Sequence, residues 1–154
     1  MQELNSEPEF FIQEVTREAP SMSSELRSNY ENVAVAHLEY EPDFPNYVVF
    51  AIANEQVVSY LSFALAPTIL EIVGAYTDAK WRGKGLFTKA FQALFSSAHA
   101  QDVKKFSIIF DTIITPERSG AHDAIIRWFK AFGPQGTTLK VYFGGKPITY
   151  ESPK

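Results

Sequence analysis

The chain has 154 residues, 45% hydrophobic and 21% charged, a balance expected of a single soluble globular domain over residues 1–154. It has no cysteine, which excludes disulfides, thiolate zinc sites and an acyl-cysteine intermediate; His37, His99 and His122 are too far apart for a local metal motif, and no metal is expected. The net charge of −4 argues against a nucleic-acid partner, although residues 1–43 carry ten acids against Arg17 and Arg27, and residues 80–154 twelve bases against five acids.

Residues 1–8 read as a frayed leader, acidic and polar where a secretory signal would be basic and apolar. No window approaches the roughly 20 apolar residues of a membrane span, so a cytoplasmic protein without membrane contact is expected. Glu9–Arg17 is rich in β-formers and predicts a first strand. Pro20 and the serines after it predict a helical region, with Leu26, Tyr30, Val33 and Leu38 as its buried stripe. The segment 37–46, with two prolines and three acids, predicts a surface loop. Three strands come next at Tyr47–Ala53, Val57–Leu65 and Ile69–Thr77, with connections short enough for an antiparallel meander.

A glycine-rich turn then leads into a helix over about Leu86–Ala100, where Leu86, Phe87, Ala90, Phe91, Leu94 and Phe95 recur at helical spacing. Lys105–Ile114 predicts a strand, Ala121–Phe132 a second amphipathic helix stopped by Gly133-Pro134, and Thr137–Phe143 with Lys146–Tyr150 a closing hairpin that offers an edge for a homodimer. The order is βα(α)βββαβαββ. It predicts an α+β fold with a mixed, mostly antiparallel central sheet flanked by helices.

The stretch from Leu70 to Phe91 carries the chemistry. A strand feeding two glycines, Gly83 and Gly85, into a helix leaves amides free at the positive end of the helix dipole, a ready anion site. Arg82, Lys84 and Lys89 add cations there, and Glu71 is a charge within a strand, where charge needs a reason. The loop lacks the glycines of a Walker A or dinucleotide motif.

In element order and in Arg82-Gly-Lys-Gly-Leu-Phe87 the chain resembles the GNAT superfamily of acyl-CoA-dependent N-acyltransferases, whose pyrophosphate loop reads R/Q-x-x-G-x-G/A. Arg82 and Gly85 match; Phe87 stands where Gly or Ala is usual. The resemblance implies that Arg82, Gly83, Lys84, Gly85, Leu86, Phe87 and Thr88 hold the pyrophosphate of acetyl-CoA, and that Ala75, Tyr76 and Thr77 pair with its pantetheine like an added strand. Glu71, eleven residues before Arg82, has the spacing of the general base in the histone-acetylating branch.

Glu39, Glu41 and Asp43 lie where relatives bind acceptors, and suit a cationic amine. The family's acid tyrosine, aligned on Gly133, is replaced by Phe129, with Ile125 and His122 at the preceding motif positions. Phe129 cannot donate a proton, which leaves solvent, Tyr142 or Tyr150 to protonate the leaving thiolate, or a protein of this fold that binds CoA or a protein partner without catalysis. Trp81 and Trp128 are expected to be packing residues.

Overall fold

A computed structural model describes residues 7–40, 43–110, 116–143 and 146–153. The strands are β1 (Glu9–Glu14), β2 (Asn46–Ala53), β3 (Gln56–Leu65), β4 (Ile69–Thr77), β5 (Lys105–Phe110), β6 (Thr138–Phe143) and β7 (Lys146–Glu151). They form one sheet in sequence order. The pairs β1–β2, β2–β3, β3–β4 and β6–β7 are antiparallel; β4–β5 and β5–β6 are parallel. The β2–β3 hairpin closes with a two-residue turn in which Asn54 and Glu55 both have positive φ, the geometry that matches strand twist in a tight hairpin. The expected strand to Ile114 is seen to Phe110; residues 111–115 lie outside the described residues.

Two apolar layers cover the sheet. On one face α3 (Leu86–Phe95) and α4 (Pro116–Phe132) enclose Leu61, Phe63, Leu70, Ile72, Phe91, Phe95, Phe106, Phe129 and Leu139. The aromatic excess of the sequence is concentrated here, with Phe95 edge-on to Phe106 at 4.7 Å and tilted against Trp128 at 5.0 Å. Helix α3 stops at Phe95, with a separate short turn at Ala98–Ala100, so the expected continuous helix to Ala100 is interrupted. The interruption falls at Ser96-Ser97, where the Ser97 hydroxyl bonds back to the Leu94 carbonyl at 2.7 Å.

On the other face lies one helical run: α1 (Ser24–Tyr30), a π-helical turn (Glu31–Val35) and α2 (Ala36–Tyr40). Ser23 caps α1, its hydroxyl accepting from the Leu26 amide at 3.2 Å. Two of the expected stripe residues, Leu26 and Tyr30, are fully buried, but in the wider π turn Ala34 and Val35 take the buried positions, while Val33 and Leu38 are half-buried. A π turn rotates the residues beyond it about the helix axis, which a constant 3.6-residue period cannot anticipate. The helix also continues to Tyr40, so the segment after His37 is not a loop from its start.

Val33 explains a glycine. Gly74 on β4 lies directly beneath the π turn, and a Cβ there would sit 2.3 Å from Val33 Cγ1. One residue earlier the β3–β4 register slips, Phe63 facing Ile72 and Ser62 facing Gly74, so Val73 is a bulge. Gly74→Ala should therefore destabilise the protein by about 1–3 kcal/mol in chemical denaturation, and the double variant with Val33→Ala should recover much of the loss.

Candidate functional site

The bulge marks where the sheet opens. β4 and β5 pair from Ile69/Lys105 to Ile72/Ile108 and no further, while β5 stays on β6 to Phe110. Beyond Ile72 no described residue pairs with β4 on that side. The Asp78 amide bonds to the Val58 carbonyl at 2.9 Å, and alternation along an antiparallel ladder turns the amides and carbonyls of Thr77 and Ala75 away from β3. Accordingly, the Thr77 carbonyl accepts from Arg82 Nε at 3.0 Å. Ala75 is exposed and Tyr76 half-buried, whereas the Thr77 side chain is buried against Ser59, hydroxyl to hydroxyl at 2.8 Å.

A short 3₁₀ turn, Ala79–Trp81, links this edge to α3. Asp78 is tied back to the start of α1 by the Ser23 hydroxyl at 2.7 Å. Trp81 packs on the cluster of Ala51, Ala53, Val58 and Leu86, the structural role expected of it. Gly83 and Gly85 both have φ of +76°, a left-handed conformation that costs other residues about 1–2 kcal/mol. Gly85 is the N-cap of α3 and has no side chain to offer its amides, and the first amide with a helical partner is that of Lys89, to the Gly85 carbonyl at 3.1 Å. Beyond the turn at Arg82–Gly83, the amides from Gly85 to Thr88 have no acceptor among the described residues. A Cβ on either glycine would meet nothing within 4 Å, so both are there for conformation and open access.

The cations of the loop divide their work. The Arg82 guanidinium lies 5.2 Å from the centre of the Tyr76 ring and bonds to Thr77, fixing the loop to the end of β4. Lys89 is paired with Glu7 at 2.8 Å. Lys84 is exposed and has no described partner. Leu86 is buried and Phe87 packs at the margin of the core, so an aromatic ring at the position of the usual Gly or Ala turns inward and leaves the amides open. Thr88 is exposed.

Glu71 is half-buried. Its neighbours Leu70 and Ile72 point into the α3–α4 core, so by strand alternation its carboxylate lies on the α1–α2 face. In register it stands between Ala64 of β3 and Ser107 of β5, and no described residue is hydrogen-bonded or ion-paired to it. The same parity separates the two candidate tyrosines. Tyr142, which is in register with Ile109, shares the face of Ser107 and Glu71, with Lys140 Nζ 5.7 Å from its ring centre. Tyr150 packs on the core of the opposite face beside Lys130. Phe129 is fully buried against Phe95 and Phe106. A Cβ on Gly133 would stand 2.7 Å from its ring. The side chain of His122 lies outside the described residues.

Two of the acids expected to meet an acceptor are among the described residues. Glu39 sits on α2 and is ion-paired with Arg17, Asp43 is exposed, and Glu41 lies outside the described residues. Sequence reasoning misses one polar pair nearby. His37 Nδ1 is 2.9 Å from Asn46 Oδ1, and Asn46 Nδ2 donates to the Phe44 carbonyl at 2.8 Å. No group of histidine and acidic side chains among the described residues is arranged to hold a metal ion, and no described helix is long and apolar enough to cross a membrane.

The GNAT acetyltransferase family model matches residues 9–133, and the chain belongs to that family, whose members use acetyl-CoA. Two solved structures share its fold. One is ribosomal-protein-alanine N-acetyltransferase from Brucella melitensis biovar Abortus 2308, 13% identical, with a TM-score of 0.50 over 75% of this chain and 86% of that one. The other is a putative GNAT-family acetyltransferase from Xanthomonas campestris pv. campestris, also 13% identical, with a TM-score of 0.52 over 84% and 87%. No curated protein sequence matches the chain.

Tyr76 gives a direct handle on this end of the site. Its hydroxyl donates to Glu25 Oε1 at 2.6 Å, and that bond pushes the phenol above its ordinary value, with Arg82 pulling the other way. A raised phenol pKa means that the contribution is complete below the ordinary tyrosine range and is lost as pH rises through the folded value. Glu25→Gln should bring the Tyr76 titration down in a carbon-detected tyrosine NMR titration.

Proposed function

We propose that the protein is an N-acetyltransferase that moves an acetyl or other short acyl group from acetyl-CoA to a primary amine, by direct attack within a ternary complex. The observation that carries this reading is the unpaired edge of β4, which joins the free amides at the start of α3 to the half-buried Glu71. Bound acetyl-CoA supplies an activated acyl thioester.

The amides of Gly83–Thr88 and the free cation Lys84 suit the pyrophosphate, with the helix dipole adding about 0.3–1 kcal/mol per favourable charge. Ala75–Thr77 offer outward backbone groups to an extended pantetheine arm, and one of the outward amides of Ala75 and Thr77 stabilises the developing oxyanion. Glu71, on the face away from α3, takes a proton from the amine. With no cysteine in the chain to hold the acyl group, transfer is direct.

The acceptor is a cationic amine approaching over the α1–α2 face. Asp43 is its candidate partner, joined by Glu41; Glu39, already engaged by Arg17, becomes available only if that exposed pair opens. Phe129 favours one rival reading, a CoA-binding or protein-interaction module without turnover, because a buried ring without a hydroxyl stands where the family's acid tyrosine is expected.

Calorimetry with acetyl-CoA should show saturable binding, weakened about tenfold by Gly85→Ala, whose strained φ costs about 1–2 kcal/mol; no binding at millimolar ligand would sink both readings. A thiol-release assay over an amine panel should show turnover that falls at least about 100-fold in Glu71→Gln. Unchanged turnover in that variant would remove Glu71 from the mechanism. Binding with no turnover on any amine would favour the rival module.

A further inference from the structure

We propose that His37 is a second catalytic base, oriented by Asn46 and working opposite Glu71 on the acceptor amine; this rests on the transferase reading. The hydrogen bonds fix the histidine's chemistry. The Phe44 carbonyl can only accept, so the Asn46 amide nitrogen faces it and the Asn46 oxygen faces His37. His37 Nδ1 must therefore carry the proton. In the neutral ring, Nε2 then has a free lone pair, and no described residue bonds to it. Asn46 is only 5% exposed, and its backbone carbonyl accepts from the Val15 amide at 2.9 Å, so the orienting group is held by the sheet itself. A base fixed by a buried amide is the arrangement that active sites use to set an imidazole's tautomer.

Register places the pair beside Glu71. Asn46 faces Ala64, and Ala64 faces Glu71, so all three lie in one row on the α1–α2 face. Two strand spacings put the Asn46 and Glu71 backbones about 10 Å apart, with Ala64 between them in the row. That span suits an amine held between two proton acceptors. The reaction requires two. An ammonium nitrogen starts with three protons, and the amide product keeps one. Glu71 takes the first, freeing the lone pair as the nitrogen–carbon bond forms. His37 Nε2 takes the second as the carbon–sulfur bond breaks, and the sulfur leaves with the electron pair as thiolate, to be protonated by solvent. In a protein whose acid position is Phe129, the family's tyrosine is not there to give the thiolate a proton, and the second nitrogen proton needs a destination of its own.

The test uses the full chain, with the amine that the panel identifies. His37→Ala should lower turnover about 100-fold, leave acetyl-CoA affinity by calorimetry within about threefold, and regain activity with added imidazole. Asn46→Ala should lower kcat, and Asn46→Asp, which keeps an acceptor for Nδ1–H, should restore much of it. Turnover of His37→Ala within about threefold of the unsubstituted protein would overturn the proposal. So would a loss that imidazole does not relieve while acetyl-CoA affinity is intact, since a structural role predicts that pattern. If acetyl-CoA binding is lost as well, His37→Gln is read in its place, with full turnover again overturning the proposal. Failure of the transferase reading looks different: the unsubstituted protein itself would turn over no amine, and the role of His37 would fall with it.

Discussion

The contact of Val33 with the bare backbone of Gly74 is the constraint on which the working half of the molecule depends. Without a side chain at position 74, the π turn can press onto β4 immediately after the Val73 bulge. The bulge re-aims the strand, and the helical run packed over it holds it in its new direction. β4 then parts from β5, while β5 continues straight along β6. Every later feature depends on that divergence: the outward amides of Ala75 and Thr77, the reach of Arg82 back to Thr77, and the position of α3's first turn at the end of an open edge. Packing on the α3–α4 face is dense and aromatic, which gives the divergence a rigid base.

Much of this is legible in the sequence because it obeys a period. The meander from Asn46 to Thr77 and the apolar face of α3 are set out by alternation and by helical spacing, and the glycine turn by its position between them. The features that escape a sequence reading each break a period. The π turn at Glu31–Val35 has no residue signature, and it both moves the buried stripe and carries the helix on to Tyr40. The bulge at Val73 shifts the parity of every residue after it by one. The pairing of His37 with Asn46 joins two elements through a turn, and nothing in their spacing announces it.

The candidate site is legible as a backbone object and less so as a set of side chains. Gly83 and Gly85 are where conformation requires them, and the amides beside them are free. The cations, equivalent by composition, are not equivalent in place: Arg82 is a brace, Lys89 is engaged by Glu7, and Lys84 is open. Charge counted along a sequence cannot tell a brace from a ligand-facing group, because that distinction is made by whichever partner the fold brings close. The acids near residue 40 teach the same lesson, since Arg17, far away in sequence, neutralises Glu39.

Phe129 and Gly133 constrain what position 129 can hold. The ring fills the space where a Cβ at position 133 would stand, and it is enclosed by Phe95 and Phe106 with no exposed surface. Placing a tyrosine there would push a hydroxyl into that packing, where an unpaired polar group costs about 1–3 kcal/mol. A single substitution to tyrosine is thus penalised by the neighbours that enclose the ring. The packing that seats Phe129 acts as a lock on position 129: it holds an apolar ring there and penalises a hydroxyl.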